Sequence, residues 1–288
     1  MKFVLASIFF YSVNNLLWKK ILFKSNIWIV MTLRSFMTCS IGLIIIYFFY
    51  PNVFNELTIA TLIKSTSASL LGAFGLVFMT SALKLGSLRQ LGIFNMTGVF
   101  FTVTYLYFFE NFDFKYYVIG TSLIVLGFVI YLTQIKRDLK KEISYRQLLL
   151  FTLMTVFFSA SALFHWNNLK QSISPIFSLI NQEFVVFSIS FFGLLTRTSY
   201  SKKQIIRSSI AIYKLTFVMA LLIFMAVWTG FLGLKITNPY ITSLLALGTP
   251  VLTILFGTFF YKEKWSFSNF IALVLIIFGA FMLHFNLN

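Results

Sequence analysis

Glu183 stands about nine residues inside a continuous apolar run at 174–195, and of the seven acidic residues it alone lies deep in such a run. At 1.5 Å per helical residue that depth is roughly 14 Å, too far for the side chain to reach water by stretching along the helix. A carboxylate held there carries a proton, contacts a ligand or closes an ion pair. Arg34 occupies a comparable place in the run at 27–49, roughly 10 Å from its start, and is the partner such a pair would use. A pair that opens on protonation would link proton movement to capture of an anionic group by Arg34.

A second set of candidates lies in the run at 3–23. Ser7, Tyr11, Asn14, Asn15 and Trp18 recur there at the spacing of one helix face. Asn14 falls about 16 Å along, near the middle of a roughly 30 Å hydrocarbon core. An amide at that level either bonds to a neighbouring helix or faces a wet cavity. The polar and aromatic character of the whole stripe favours the cavity. Asn95, in the run at 88–109, is expected to face the same space as Asn14, Asn15, Trp18, Arg34 and Glu183. Lys214, roughly 7.5 Å inside its run, is a lesser candidate partner for Glu183. Its alternative, shared with Lys64, is to extend its ammonium to the membrane interface.

These residues sit in a chain of 288, with 59% hydrophobic and 10% charged residues and a mean hydropathy of +0.90. Soluble domains carry about 25% charged residues, so a water-soluble globular protein is excluded. Runs at 3–23, 27–49, 59–82, 88–109, 115–134, 147–168, 174–195, 209–232, 239–261 and 267–286 approach or exceed the roughly 20 residues of a helical crossing. They are continuously apolar, whereas the strands of a membrane barrel alternate. The fold expected is an all-α polytopic membrane protein of ten transmembrane helices. The first run is longer than a signal-peptide core and no small-residue cleavage site with a polar domain follows it, so it reads as the first span.

Laid over itself at an offset near 150, the chain pairs Phe36 with Phe184, Lys64 with Lys214, Lys84 with Lys235, Glu110 with Glu263, Phe112 with Trp265, Phe114 with Phe267, and Gly127 with Gly279. Gly120 falls on Ala272. This divides the chain into five-helix repeats at 1–135 and 147–288, joined by a basic connection at 136–146. Five spans per repeat force the second to enter from the opposite side, so the repeats are inverted.

The net charge of +16 lies mainly between the runs, with 16 of the 23 Lys and Arg residues in odd-numbered connections and five on the other side. That distribution sets orientation and argues against nucleic acid as a partner. Odd connections are expected in the cytoplasm and both termini outside it. A composition rich in Phe, Ile, Asn and Lys points to an AT-rich bacterial genome, hence to a bacterial plasma membrane.

At this point the chain resembles the EamA group of the drug/metabolite transporter superfamily. The carriers are ALKLGS at Ala82 to Ser87, the acidic turns at Glu110 and Glu263, and LGTP at Leu247 to Pro250, in order within an inverted repeat. Where the family has a second proline, in the fourth span, this chain has Gly98. The resemblance implies secondary transport, often export, of a small metabolite such as an amino acid or related compound. The path would run between spans 1 to 4 and 6 to 9, with spans 5 and 10 peripheral. Small-molecule substrate, membrane lipid and protons are the partners implied, and no cofactor. An intramembrane enzyme acting on lipid or isoprenoid would need a cluster of Asp, Glu, His or Cys near one face. Seven acidic residues, two histidines and the lone Cys39 supply none. A channel would need a ring of repeated selectivity groups, and ATP hydrolysis a GxxxxGK[ST] loop; the sequence has neither. Two stripes, Ala68, Gly72, Gly75 and Thr242, Ala246, Thr249, Thr253, Gly257, read as close helix packing, with Pro250 kinking the second. His165 is expected near a membrane face beside Trp166, with a solvated imidazole.

The charge count makes orientation testable. In a Cys39→Ser background, a single cysteine at the C-terminus should react with an impermeant thiol reagent on intact cells. One in connection 136–146 should react only after permeabilisation; its labelling on intact cells would reverse the orientation.

Overall fold

A helix in lipid satisfies its own backbone, so neighbouring helices are held by close contact of small residues and by hydroxyls that bond across. The computed structural model describes residues 1–22, 25–85, 88–138, 144–197, 202–261 and 266–285. They form α1 (Lys2–Leu22), α2 (Ile27–Phe49), α3 (Ile59–Leu85), α4 (Leu88–Phe109), α5 (Val118–Asp138), α6 (Tyr145–Lys170), α7 (Pro175–Arg197), α8 (Lys202–Ile236), α9 (Pro239–Ala246), α10 (Gly248–Tyr261) and α11 (Phe267–Phe285). Among the described residues, with α9 and α10 taken as one span, eight helices are long and apolar enough to cross a bilayer, and α4 adds the shorter apolar stretch Phe94–Phe109. The protein is an integral membrane protein. Glu263 and most of the central basic connection, 139–143, lie outside the described residues.

Two spans depart from the sequence expectation. The eighth begins at Lys202 rather than 209 and runs 35 residues, about 52 Å. Its apolarity ends where expected, but Lys, Gln and Arg are good helix formers and carry the helix on beyond the apolar stretch. The ninth span is interrupted at Leu247. Pro250 has no N–H to return to the carbonyl of Ala246, four residues earlier, and the ladder breaks between them.

The main helix contacts join the first half of the chain to the second: α1 with α8, α3 with α6, α2 with α7, α5 with α11, and α4 with α6 and α9. Small residues make each approach possible. Ser7 donates to the Ala226 carbonyl at 2.7 Å between α1 and α8, and Ser161 to the Ala68 carbonyl at 2.8 Å between α6 and α3. Gly72 and Gly75 leave room for Ser161 and Phe158. Gly42 does the same for Ile180 where α2 meets α7. Between α5 and α11, Gly120 lies against Gly279 and Gly127 against Ala272, an antiparallel seam of near backbone contact.

That seam tolerates no side chain. A Cβ on Gly279 would stand 2.7 Å from the Gly120 carbonyl oxygen, which belongs to backbone and cannot swing away. Gly279→Val should therefore lower stability by about 1–3 kcal/mol, read as a lower thermal unfolding midpoint in detergent. Val274→Ala, on an exposed part of the same helix, should shift it far less.

Candidate functional site

The cross-half packing leaves a central cavity of about 400 Å³, walled by α1 to α4 and α6 to α10, with no described lining residue from α5 or α11. Its size is in the range of sites that hold small organic ligands. Leu234 and Pro239 line it at the ends of α8 and α9, and Trp18 and Met79 mark its reach toward the opposite, basic side. Beyond Trp18 on that side, Ile21, Ile27, Val30 and Leu194 pack into an apolar plug.

Tyr11, Asn14, Asn15 and Trp18 of the α1 stripe line the cavity, while Ser7 is spent on its bond to α8. Asn95 lines it from α4, Arg34 from α2 and Glu183 from α7. Lys214 does not. It stands on an exposed face of α8 with Ile210, Tyr213 and Phe217, where its four-carbon stem can run along the helix toward the interface.

Arg34 and Glu183 form a two-point pair. Nη1 of Arg34 donates to Oε1 of Glu183 at 3.3 Å, and Nη2 approaches Oε2 at 3.0 Å. The same Nη2 donates to the Ser35 hydroxyl at 3.2 Å, and Ser35 in turn donates to the Met31 carbonyl at 2.7 Å. Both ions are recessed in the wall, 1% and 2% exposed. One turn of α2 therefore holds the guanidinium flat against α7. Arg34 Nε has no hydrogen-bond partner among the described residues, and neither has Oδ1 of Asn14, itself 1% exposed.

The cavity also has walls that sequence reasoning assigned elsewhere. Thr242, Ala246 and Thr249 line it rather than serving packing alone, because the break at Leu247 turns this stretch toward the central space. Gln182, Thr155 and Ser159 line it too. The signals were present: Gln182 adjoins Glu183, and Thr155 and Ser159 fall one turn apart on α6. His165 corrects another expectation, since it is 1% exposed and packs on Phe231 with ring centroids 4.5 Å apart. At the same end of the molecule Lys170 lies over the Trp166 ring at 3.5 Å and pairs with Glu110 at 3.1 Å.

Removing one partner of a buried ion pair strands the other, at a cost of about 3–5 kcal/mol. Arg34→Met should therefore destabilise the protein strongly, and adding Glu183→Leu should restore much of the loss. Thermal unfolding of the single and double variants in detergent measures both; a double variant no better than Arg34→Met would show that the pair does not act as a unit.

No curated protein matches the chain by sequence. A solved crystal structure is similar in fold, with a TM-score of 0.66 over 96% of each chain at 15% identity, which is a likeness of fold alone. Residues 146–285, from the start of α6 to the end of α11, match the model of the EamA-like transporter family.

Proposed function

We propose that the chain is a secondary transporter that exports a small organic metabolite across a bacterial plasma membrane by alternating access of two inverted five-helix halves. The observation that carries this reading is the central cavity, walled by helices of both halves, with an apolar plug packed beyond Trp18 at one end. Midplane sites between repeats are how inverted-repeat carriers expose one ligand to each side in turn. The helix contacts support the repeat: exchanging each span with its counterpart five spans on turns the α1 and α8 contact into that of α6 and α3, and maps α2 with α7 and α5 with α11 onto themselves. Gly120 against Gly279 becomes Ala272 against Gly127, a contact that is also present.

Coupling is assigned to Glu183. In the pair it is held as a carboxylate partner of Arg34, and a proton taken up there would neutralise the carboxylate and leave the guanidinium charge without its partner, so protonation changes the energy of the closed pair directly. The pair joins α2 of one half to α7 of the other, so opening it loosens a contact that rocking of the halves must change.

Reconstituted into proteoliposomes, the protein should move one or more members of a labelled metabolite panel, faster with a pH gradient than without. Glu183→Gln should abolish the response to the gradient while leaving exchange of substrate down its own gradient. Wild-type coupling in a folded Glu183→Gln variant would demote the residue to a structural role, and absence of flux for the whole panel would defeat the transport reading.

A further inference from the structure

The two ions of the cavity wall are recessed and spent on each other; the polar groups that a ligand can reach are of another kind. Asn15, Asn95, Gln182, Thr242, Ser243 and Thr249 all line the cavity and all are half-buried rather than closed off. Every one is uncharged. The side-chain amides of Asn15, Asn95 and Gln182 make no hydrogen bond among the described residues, so three amides, each both donor and acceptor, stand free on three different walls. Between them the surface is apolar, with Leu76, Tyr11 and Phe158 half-buried and Val99 and Ile223 closing the gaps.

From this arrangement we infer that the transported ligand is an uncharged ring compound bearing amide or imide and hydroxyl groups, the chemistry of a nucleoside. The inference rests on the transport reading for the word transported, and on the wall chemistry alone for the ligand class. With the Arg34 and Glu183 pair closed, as it is here, a net charge in this cavity would meet no free counter-ion among the described residues. It would remain uncompensated in an apolar enclosure or have to break the Arg34 and Glu183 pair, stranding one of those ions. A ligand with amide edges and hydroxyls meets matching donors and acceptors at no such cost. Its ring faces cover Tyr11, Phe158 and Leu76. Three amides on separate walls also fix orientation, since a planar imide edge presents donor and acceptor side by side, as a carboxamide does.

The test uses the full-length protein in detergent and compounds matched in size but differing in charge. Labelled uridine and inosine are the uncharged probes, uridine monophosphate the anion, tryptamine the cation and tryptophan the zwitterion. Binding, read by scintillation proximity, should be at least tenfold tighter for an uncharged probe than for any charged one. Asn95→Ala and Gln182→Ala should each weaken it about tenfold, with folding checked by size exclusion. Failure of both uncharged probes to bind, or binding of the phosphate, the amine or the zwitterion as tightly as either of them, overturns the inference. Flux into proteoliposomes is scored separately. Uncharged probes that bind without crossing defeat the transport reading and leave the ligand class standing, whereas flux of the charged probes alone defeats the ligand class and leaves transport standing.

Discussion

Hydrocarbon offers no hydrogen bond, and the placement of the polar side chains described within the spans follows from that constraint. Most of the hydroxyls are disposed of locally. Ser12 donates to the carbonyl of Ile8, Thr38 to that of Arg34 and Thr102 to that of Gly98, each four residues back along its own helix. Others cross to a neighbour, as Ser7 and Ser161 do, and these mark where helices approach most closely. Asn168 and Asn181 cross to α3 as well, so the groups that neither route absorbs are the amides of Asn15, Asn95 and Gln182 and the two buried ions. They collect in one place, the centre between the halves, and a cavity is the form that such a collection takes.

The ion pair at that centre is not there for stability. Taking two charges out of water costs several kcal/mol per ion, and well-packed apolar residues of similar volume often do as well or better. What the pair supplies is a geometric condition, a guanidinium braced by Ser35 and satisfied only when α2 and α7 stand in one register. Its neighbours share the condition. Thr32 meets Ser190 at 3.2 Å, and Gly42 admits Ile180 further along the same crossing.

The spans were legible because uninterrupted apolarity over 20 residues has one physical meaning in a chain so poor in charge. Their ends were less so, since apolarity reports where lipid stops and not where a helix stops: Lys202 to Ser208 continue α8 beyond the apolar run on helix propensity and the packing of Ile205. For the cavity, Asn14, Asn15 and Trp18 could be found because a polar stripe at helical spacing breaks an otherwise apolar face. Gln182 and Ser159 carry a weaker signal, a place beside Glu183 and a one-turn spacing to Thr155, which does not by itself say which face meets a cavity. Lys214 misled for a plain reason, that a lysine inside an apolar run is consistent with both a buried partner and an interface, and spacing from the helix end does not reveal which face it takes. His165 misled in the opposite sense. Its depth was judged correctly as near a helix end, but Phe231 of α8 covers it there.

One asymmetry bears on how the proposed halves would exchange. In the alignment that sets Phe36 on Phe184, Arg34 falls on Gln182 and Ser35 on Glu183. The ion pair thus has a symmetry mate, Ser35 with Gln182, made of the same two helices and the same two turns but carrying no charge. Thr32 with Ser190 likewise maps onto Ile180 with Gly42, a polar contact onto an apolar one. Two ideal inverted halves would be equally content in either arrangement. Here the charges occupy one side of the pseudo-axis only, so the two arrangements differ in where a buried ion pair must be accommodated, and a proton on Glu183 changes that difference directly. A carrier needs some such bias if an ion gradient is to choose the direction in which its halves rock. On the transport reading proposed above, that bias would be written in two adjacent positions of each half.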